Sequence, residues 1–205
     1  MKNFINIFVF WVCLLLPCCI LTAEYIFSPE DYLIYSTVLD QWYGNDPDKM
    51  ISIRGQTALG LGLDSLKEEM DHVKSSTLGL RPSVINDFVA KNIHSYPLEG
   101  YITQRAWYRI ITPQEINYIF SYKDGWDRYY EKYPGSRGIL TFSRVGYSLR
   151  GAQALVYAGT QWDDFSGAGV YVLLNKDPLG VWKMQETVKS WHSWLPDEDI
   201  SLIPR

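Results

Sequence analysis

The chain has 205 residues, 47% hydrophobic and 20% charged, a balance that excludes a disordered or collagen-like polymer and fits one folded domain. Its net charge is −4 and no stretch concentrates basic residues, so a nucleic-acid binder working by phosphate neutralisation is excluded. Composition points to no reaction; it leaves export, fold class and the placement of a ligand to be read from the order of residues.

After Met1 and Lys2, the run from Phe4 to Leu21 is almost wholly apolar and is followed by Thr22, Ala23 and Glu24. A positive start, an apolar centre and a small residue before a polar stretch are the parts of a secretory signal peptide, expected over residues 1–23 with cleavage after Ala23. The run is close to the roughly 20 residues that cross a bilayer, which makes a retained membrane anchor the alternative. Cys13, Cys18 and Cys19 all lie in this leader, so the domain over residues 24–205 is expected to carry no disulfide. Leu16-Pro17-Cys18-Cys19 loosely matches the lipoprotein pattern ending in a lipid-modified Cys, a second alternative. Loss of Lys2 with the leader leaves 18 basic and 23 acidic residues, a charge of −5 that gives no hold on anionic lipid.

The next segments read as helices with a little strand. Ser28-Pro29-Glu30-Asp31 supplies an N-cap, a proline at the first helical position and acids in the first turn. Tyr32, Tyr35, Leu39 and Trp42 give that helix one apolar face, and Gly44-Asn45-Asp46-Pro47 ends it. Met50 to Ile53 is a short strand. Asp64 is the expected cap of a second helix through Leu66, Met70 and Val73, and Ser83 that of a third through Ile85, Phe88 and Val89, closed by Asn92. Tyr101 to Ile111 is rich in aromatic and β-branched residues and reads as extended. Thr112-Pro113-Gln114-Glu115 has the residues of a full capping box. Tyr129, Tyr130 and Tyr133 are expected to pack a short helix on the sheet.

Beyond this point the pattern changes. Ile139 to Tyr147, Gln153 to Gln161, Gly169 to Lys176 and Val181 to Lys189 are four extended runs separated by breaks at Gly151, Gly167 and Gly180, an antiparallel meander. In the last run Trp182, Met184 and Val188 alternate with polar residues, so they are expected to share the face turned to the helices. The expected fold is α+β, with the N-terminal helices packed on one face of a C-terminal antiparallel meander sheet of four or more strands, in a single domain. The stretches Leu140 to Tyr147, Gln153 to Tyr157, Gly167-Ala168-Gly169 and Tyr171 to Leu174, followed by Gly180 and Trp182, resemble a family of exported bacterial proteins of unassigned function. The resemblance implies export and fold and carries over no catalytic residue.

Motifs of catalysis are missing from the sequence. No Gly-x-Ser-x-Gly elbow occurs; Ser143 reads as a structural strand hydroxyl. Gly60-Leu61-Gly62 lacks the further glycine of a dinucleotide loop and the Gly-Lys-Ser/Thr of a P-loop, and reads as a connector. His72, His94 and His192 are far apart, with no zinc spacing, and Asp163-Asp164 lacks the alternating acids of a calcium loop. No catalytic residue, metal or cofactor is assigned.

What remains is aromatic content, with 8 Trp, 15 Tyr and 8 Phe, whose flat rings and polar tips suit recognition as well as cores. The candidate ligand-binding residues are Trp162, Asp163, Asp164, Ser166, Gly167 and Gly169 at one hairpin, with Trp191 and His192 at a strand end. The expected function is that of an exported, non-catalytic binding domain of the cell envelope, with a protein, envelope component or small ligand as partner. Nucleic acid is excluded, and membrane contact is expected only through a retained or lipidated leader. The alternative is a cell-envelope hydrolase that uses a carboxylate pair distant in sequence. Amino-terminal sequencing of the protein from its native cells is expected to begin at Glu24; a start at Met1 would show that the leader is kept.

Overall fold

The computed structural model describes residues 26–44, 50–58, 63–98, 102 and 107–193. The leader, the helix stop at Asn45 to Pro47, the Gly60 to Gly62 connector and the start of the extended run at Tyr101 lie outside these residues. In chain order the elements are α1 (Pro29–Tyr43), β1 (Ile51–Arg54), α2 (Leu63–Ser76), α3 (Pro82–Lys91), β2 (Tyr108–Ile111), α4 (Pro113–Ile119), α5 (Gly125–Lys132), β3 (Ile139–Phe142), β4 (Gly146–Tyr147), β5 (Gln153–Gln161), β6 (Gly167–Lys176) and β7 (Trp182–Ser193). The fold is mixed α+β, helices first and a mostly antiparallel sheet after. None of the described helices is long and apolar enough to cross a membrane.

Local chemistry sets the helix ends. The Ser28 side chain accepts from Asp31 N and the Asp31 carboxylate accepts from Ser28 N, closing a capping box on two of the first-turn amides that have no helical partner. At α4 only half of the expected box forms. Thr112 caps Glu115 N, but the Glu115 carboxylate turns to Lys132 and to the Tyr133 hydroxyl. α3 starts at Pro82 with Arg81 as its N-cap, so Ser83 lies inside the first turn, and α2 already contains Asp64. Asn92 does close α3, its side-chain amide donating to the Phe88 carbonyl at 2.8 Å.

The sheet order is β2-β1-β3-β5-β6-β7, with β4 on β5. The four-run meander is present, with β3 and β4 antiparallel to β5, β5 to β6 and β6 to β7, and β1 extends the sheet by pairing parallel with both β2 and β3. Parallel neighbours need long crossovers, which α2 with α3 and α4 with α5 provide. The run expected over Ile139 to Tyr147 is two strands, because the chain bends at Ser143 to Val145. There Arg144 N donates to Asn92 Oδ1, and Gly146 lies so close to α3 that a Cβ would stand 2.5 Å from that of Phe88.

The expectation that all helices cover one face is corrected by the packing. α1 packs Ile34, Tyr35, Val38 and Leu39 on the side of Leu140, Phe142, Val156, Val172, Leu174 and Trp182. α2 and α3 pack Leu66, Met70, Val73 and Phe88 on the opposite side, against Leu155 and Tyr171. α4 and α5 gather Ile116, Trp126, Tyr129 and Tyr133 over Ile111 and Ile139. Val188 belongs to the α2/α3 side, away from Trp182 and Met184. The reason is a bulge: Leu174 pairs with Met184 and Leu173 with Glu186, leaving Gln185 as an extra residue that shifts the alternation.

Trp182 is 5% exposed in the α1 cluster, and its indole N–H donates to Glu30 at 2.9 Å. Replacing Trp182 by Ala is expected to cost about 3–5 kcal/mol in urea unfolding, from lost burial and a residual cavity. A loss below about 1 kcal/mol would place the ring at the surface.

Candidate functional site

The hairpin linking β5 and β6 brings three glycines to the side of the sheet covered by α2 and α3. Gly159 pairs with Gly169, and Gly167 lies one step further along the same side. Their missing side chains leave room for two rings. A Cβ at Gly167 would stand 2.8 Å from Trp191 Cη2, one at Gly169 would overlap Trp191 Nε1 and the Tyr157 hydroxyl, and one at Gly159 would stand 2.5 Å from that hydroxyl. The Trp191 indole therefore lies across Gly167 and Gly169, and its N–H donates to Tyr157 Oη at 2.7 Å. The ring keeps 41% of its surface exposed.

A second bulge helps to put it there. Gly169 pairs with Trp191 but Val170 pairs with Lys189, so Ser190 is an extra residue. The bulge brings Val188 and Trp191, three residues apart, to one side of β7, whereas strict alternation would part them.

Beside this platform is a cleft of about 350 Å³ lined by residues that include Leu66, Glu69, Phe88, Asn92, Ser143, Tyr157, Tyr171, Ser190 and Trp191. That is the low end of the range for small-molecule clefts. α2 contributes Glu69, whose carboxylate accepts from the Tyr171 hydroxyl. Tyr157 and Tyr171 meet edge to face at 5.4 Å, and Phe88 meets Tyr171 edge to face at 5.8 Å. The far wall is held by polar contacts. Ser143 Oγ accepts from Tyr157 N at 2.8 Å and donates to the Arg144 carbonyl, and Asn92 holds Arg144 at both its N–H and its carbonyl. These bonds use Ser143 as a structural hydroxyl and leave Glu69, the two phenols and the open indole as the groups able to meet a ligand.

The hairpin splits the candidate residues read from the sequence. Gly167, Gly169 and Trp191 come together at the cleft. Trp162 borders a separate cavity of about 240 Å³ with Tyr43, Tyr130 and Arg137, and its carbonyl accepts from the Tyr130 hydroxyl at 2.8 Å. Asp164 is exposed and Asp163 half-buried at the tip, where Asp163 Oδ1 accepts from Asp164 N at 2.6 Å. Ser166 is buried, its carbonyl accepting from Trp162 N at 3.0 Å, which closes the turn. His192 pairs with Ala168 along the ladder, and its side chain lies outside the described residues.

Glu69, Tyr157 and Tyr171 were not candidates in the sequence. Nothing local in the sequence marks the approach of α2 to β6 that brings Glu69 to Tyr171. Among the described residues no three His, Cys, Asp or Glu side chains cluster as metal ligands do. A broader groove of about 600 Å³ between α2 and α3 is mostly aliphatic, with Lys67, Asp71 and Lys74 at its rim, and lacks this convergence of polar tips. No protein-family model, curated protein or solved structure matches this chain.

Burial raises the Tyr171 phenol above its ordinary 10.0, and the Glu69 carboxylate raises it further. Burial also raises Tyr157, against a lowering contribution from the Trp191 N–H. Both phenols stay protonated when folded at a pH where they ionise unfolded, so their contribution is complete below pH 10 and is lost as pH rises past it. The urea midpoint is expected to fall above pH 10, and to fall less steeply in Tyr171→Phe. An equal slope in wild type and variant would count against the buried phenol.

Proposed function

We propose that this chain is an exported, non-catalytic binding domain of the cell envelope and that the cleft beside Trp191 takes a small, neutral, polyhydroxylated ring of the carbohydrate class. The observation that carries the reading is the indole spread on Gly167 and Gly169, half open to solvent, next to Glu69, Tyr157 and Tyr171. A sugar ring has an apolar C–H face that stacks on an indole, and hydroxyls at its rim that donate to a carboxylate and exchange bonds with phenols. Glu69 accepts on one oxygen from Tyr171 and has further lone pairs for a ligand hydroxyl.

Hydrolysis of a glycosidic bond calls for two carboxylates across the scissile bond. Glu69 is the one carboxylate among the described residues that line the cleft, which favours binding over cleavage. Export rests on the apolar leader after Lys2.

Calorimetric titration with neutral mono- and disaccharides and with envelope glycan fragments tests the proposal. Binding is expected, with about a tenfold loss in Trp191→Ala from the missing stacking surface and a comparable loss in Glu69→Gln. Asp164→Ala, at the exposed hairpin tip, is expected to bind as wild type does. Undiminished affinity in a folded Trp191→Ala variant would end the reading, as would the absence of heat with every saccharide.

A further inference from the structure

Apart from the cleft, the described surface carries an apolar feature at one end of the sheet. The three most exposed large hydrophobic side chains among the described residues are Leu78, Leu149 and Leu179, at 96%, 95% and 89%. A single exposed leucine carries no message, but these three sit on three turns that meet at one place. The Gln153 side chain joins them. It accepts from Arg81 N at 2.8 Å and donates to the Gly79 carbonyl in the turn after α2, and it donates to Asn175 Oδ1 just before the β6–β7 turn. Its backbone carbonyl accepts from Ser148 N in the β4–β5 turn, and Lys176 N donates to the Ala152 carbonyl.

The turns are built to hold these leucines outward. Gly151 and Gly180 take φ of +61° and +80°, conformations that L side chains resist, and fix Leu149 and Leu179 at the apices beside them. The Asp177 carboxylate accepts from Leu179 N and Val181 N at 2.9 Å each, so the one acid of that turn serves its own backbone. Arg81 and Arg150 are exposed next to the apices. α1 starts at the same end, with Glu30 bonded to Trp182 and to Lys176 at the mouth of the β6–β7 turn.

From this juxtaposition we infer that the end bearing Leu78, Leu149 and Leu179 is a membrane-facing surface, whose leucines enter the interface of a phospholipid bilayer while Arg81 and Arg150 meet its phosphates. Apolar tips with basic residues beside them are the composition of an interfacial contact. Three short contacts of this kind give weak, reversible attachment. The inference is independent of the carbohydrate reading, since no leucine of this end lines the cleft.

The test is hydrogen exchange, read by mass spectrometry, on the full chain as recovered from its cells, with and without vesicles of equal parts phosphatidylcholine and phosphatidylglycerol. Vesicles are expected to slow exchange over residues 77–81, 148–152 and 177–181 and to leave the 162–166 hairpin, at the other end of β5 and β6, unchanged. In the combined variant Leu78→Asp, Leu149→Asp and Leu179→Asp the three turns are expected to exchange at the lipid-free rate, whether or not the leader keeps the chain on the vesicle. Wild-type turns that exchange equally with and without vesicles would overturn the inference, and that comparison stands even if the variant does not fold. Protection that appears with rising protein concentration in the absence of lipid would also overturn it, assigning this end to a second copy of the chain.

Discussion

The pairing of β5 with β6, unbroken from Gln153 opposite Asn175 to Gln161 opposite Gly167, is the constraint on which the remainder of the molecule depends. Both sides of this hairpin are covered. Ala154, Val156 and Ala158 face α1, Leu155 faces α2 and α3, and all four are buried. A strand pair buried on both faces has its backbone groups consumed by the ladder and its side chains by two helix layers. Recognition is then left to the ends of the pair and to places where the side chains are deliberately small.

The cleft is such a place. Gly159, Gly167 and Gly169 cost the sheet packing area and backbone entropy, which a hairpin this well covered tolerates. The vacated volume is filled by Trp191 and Tyr157, one ring from the bulged end of β7 and one from β5. The bulge at Ser190 matters as much as the glycines, because it sets the indole on the same side as Val188 and Tyr171. Two local departures from regular strand geometry thus produce one exposed aromatic surface, held at its N–H by a neighbour that is itself fixed by Ser143. A platform anchored in this way loses little side-chain entropy when a ligand stacks on it.

The parts of this architecture that were legible in the sequence are those fixed by neighbours in the chain. Ser28, Pro29 and Asp31 announce the start of α1, Asn92 ends α3, and the β5 run is read to its residue boundaries because Gly151 and the Gly-rich turn bracket a continuous apolar stretch. Interactions between distant segments were not legible. Glu115 has the sequence of a capping-box acid, yet Lys132 and Tyr133, brought over by α5, hold its carboxylate instead. Period two puts Val188 with Trp182 and Met184 because it has no means of seeing an extra residue at Gln185. The site shows the same division. Gly167, Gly169 and Trp191 stand out by residue type, whereas Glu69 becomes a ligand candidate only through a contact with Tyr171, 102 residues away.

α2 links the cleft and the leucine end. Leu66 and Glu69 in its first half line the cleft, and the turn that follows its last residue raises Leu78 at the leucine end. At 1.5 Å of rise per residue, Glu69 and Ser76, the last residue of α2, are separated by roughly 10 Å along the helix. If the leucine end rests at the level of lipid phosphates, the cleft lies away from that contact, since none of the three leucines lines it. There it would be accessible to soluble glycans and to the glycan part of a surface molecule, and out of reach of acyl chains. The helix is fixed at both ends of this span, by Glu69 to Tyr171 at the cleft and by Gly79 and Arg81 to Gln153 beyond its C-terminus. With α2 pinned in this way, a ligand that displaces the Tyr171 hydroxyl from Glu69 loosens the helix at the cleft while Gln153 keeps the leucine end in place. Binding in the cleft is therefore expected to leave the presentation of the three leucines unaltered.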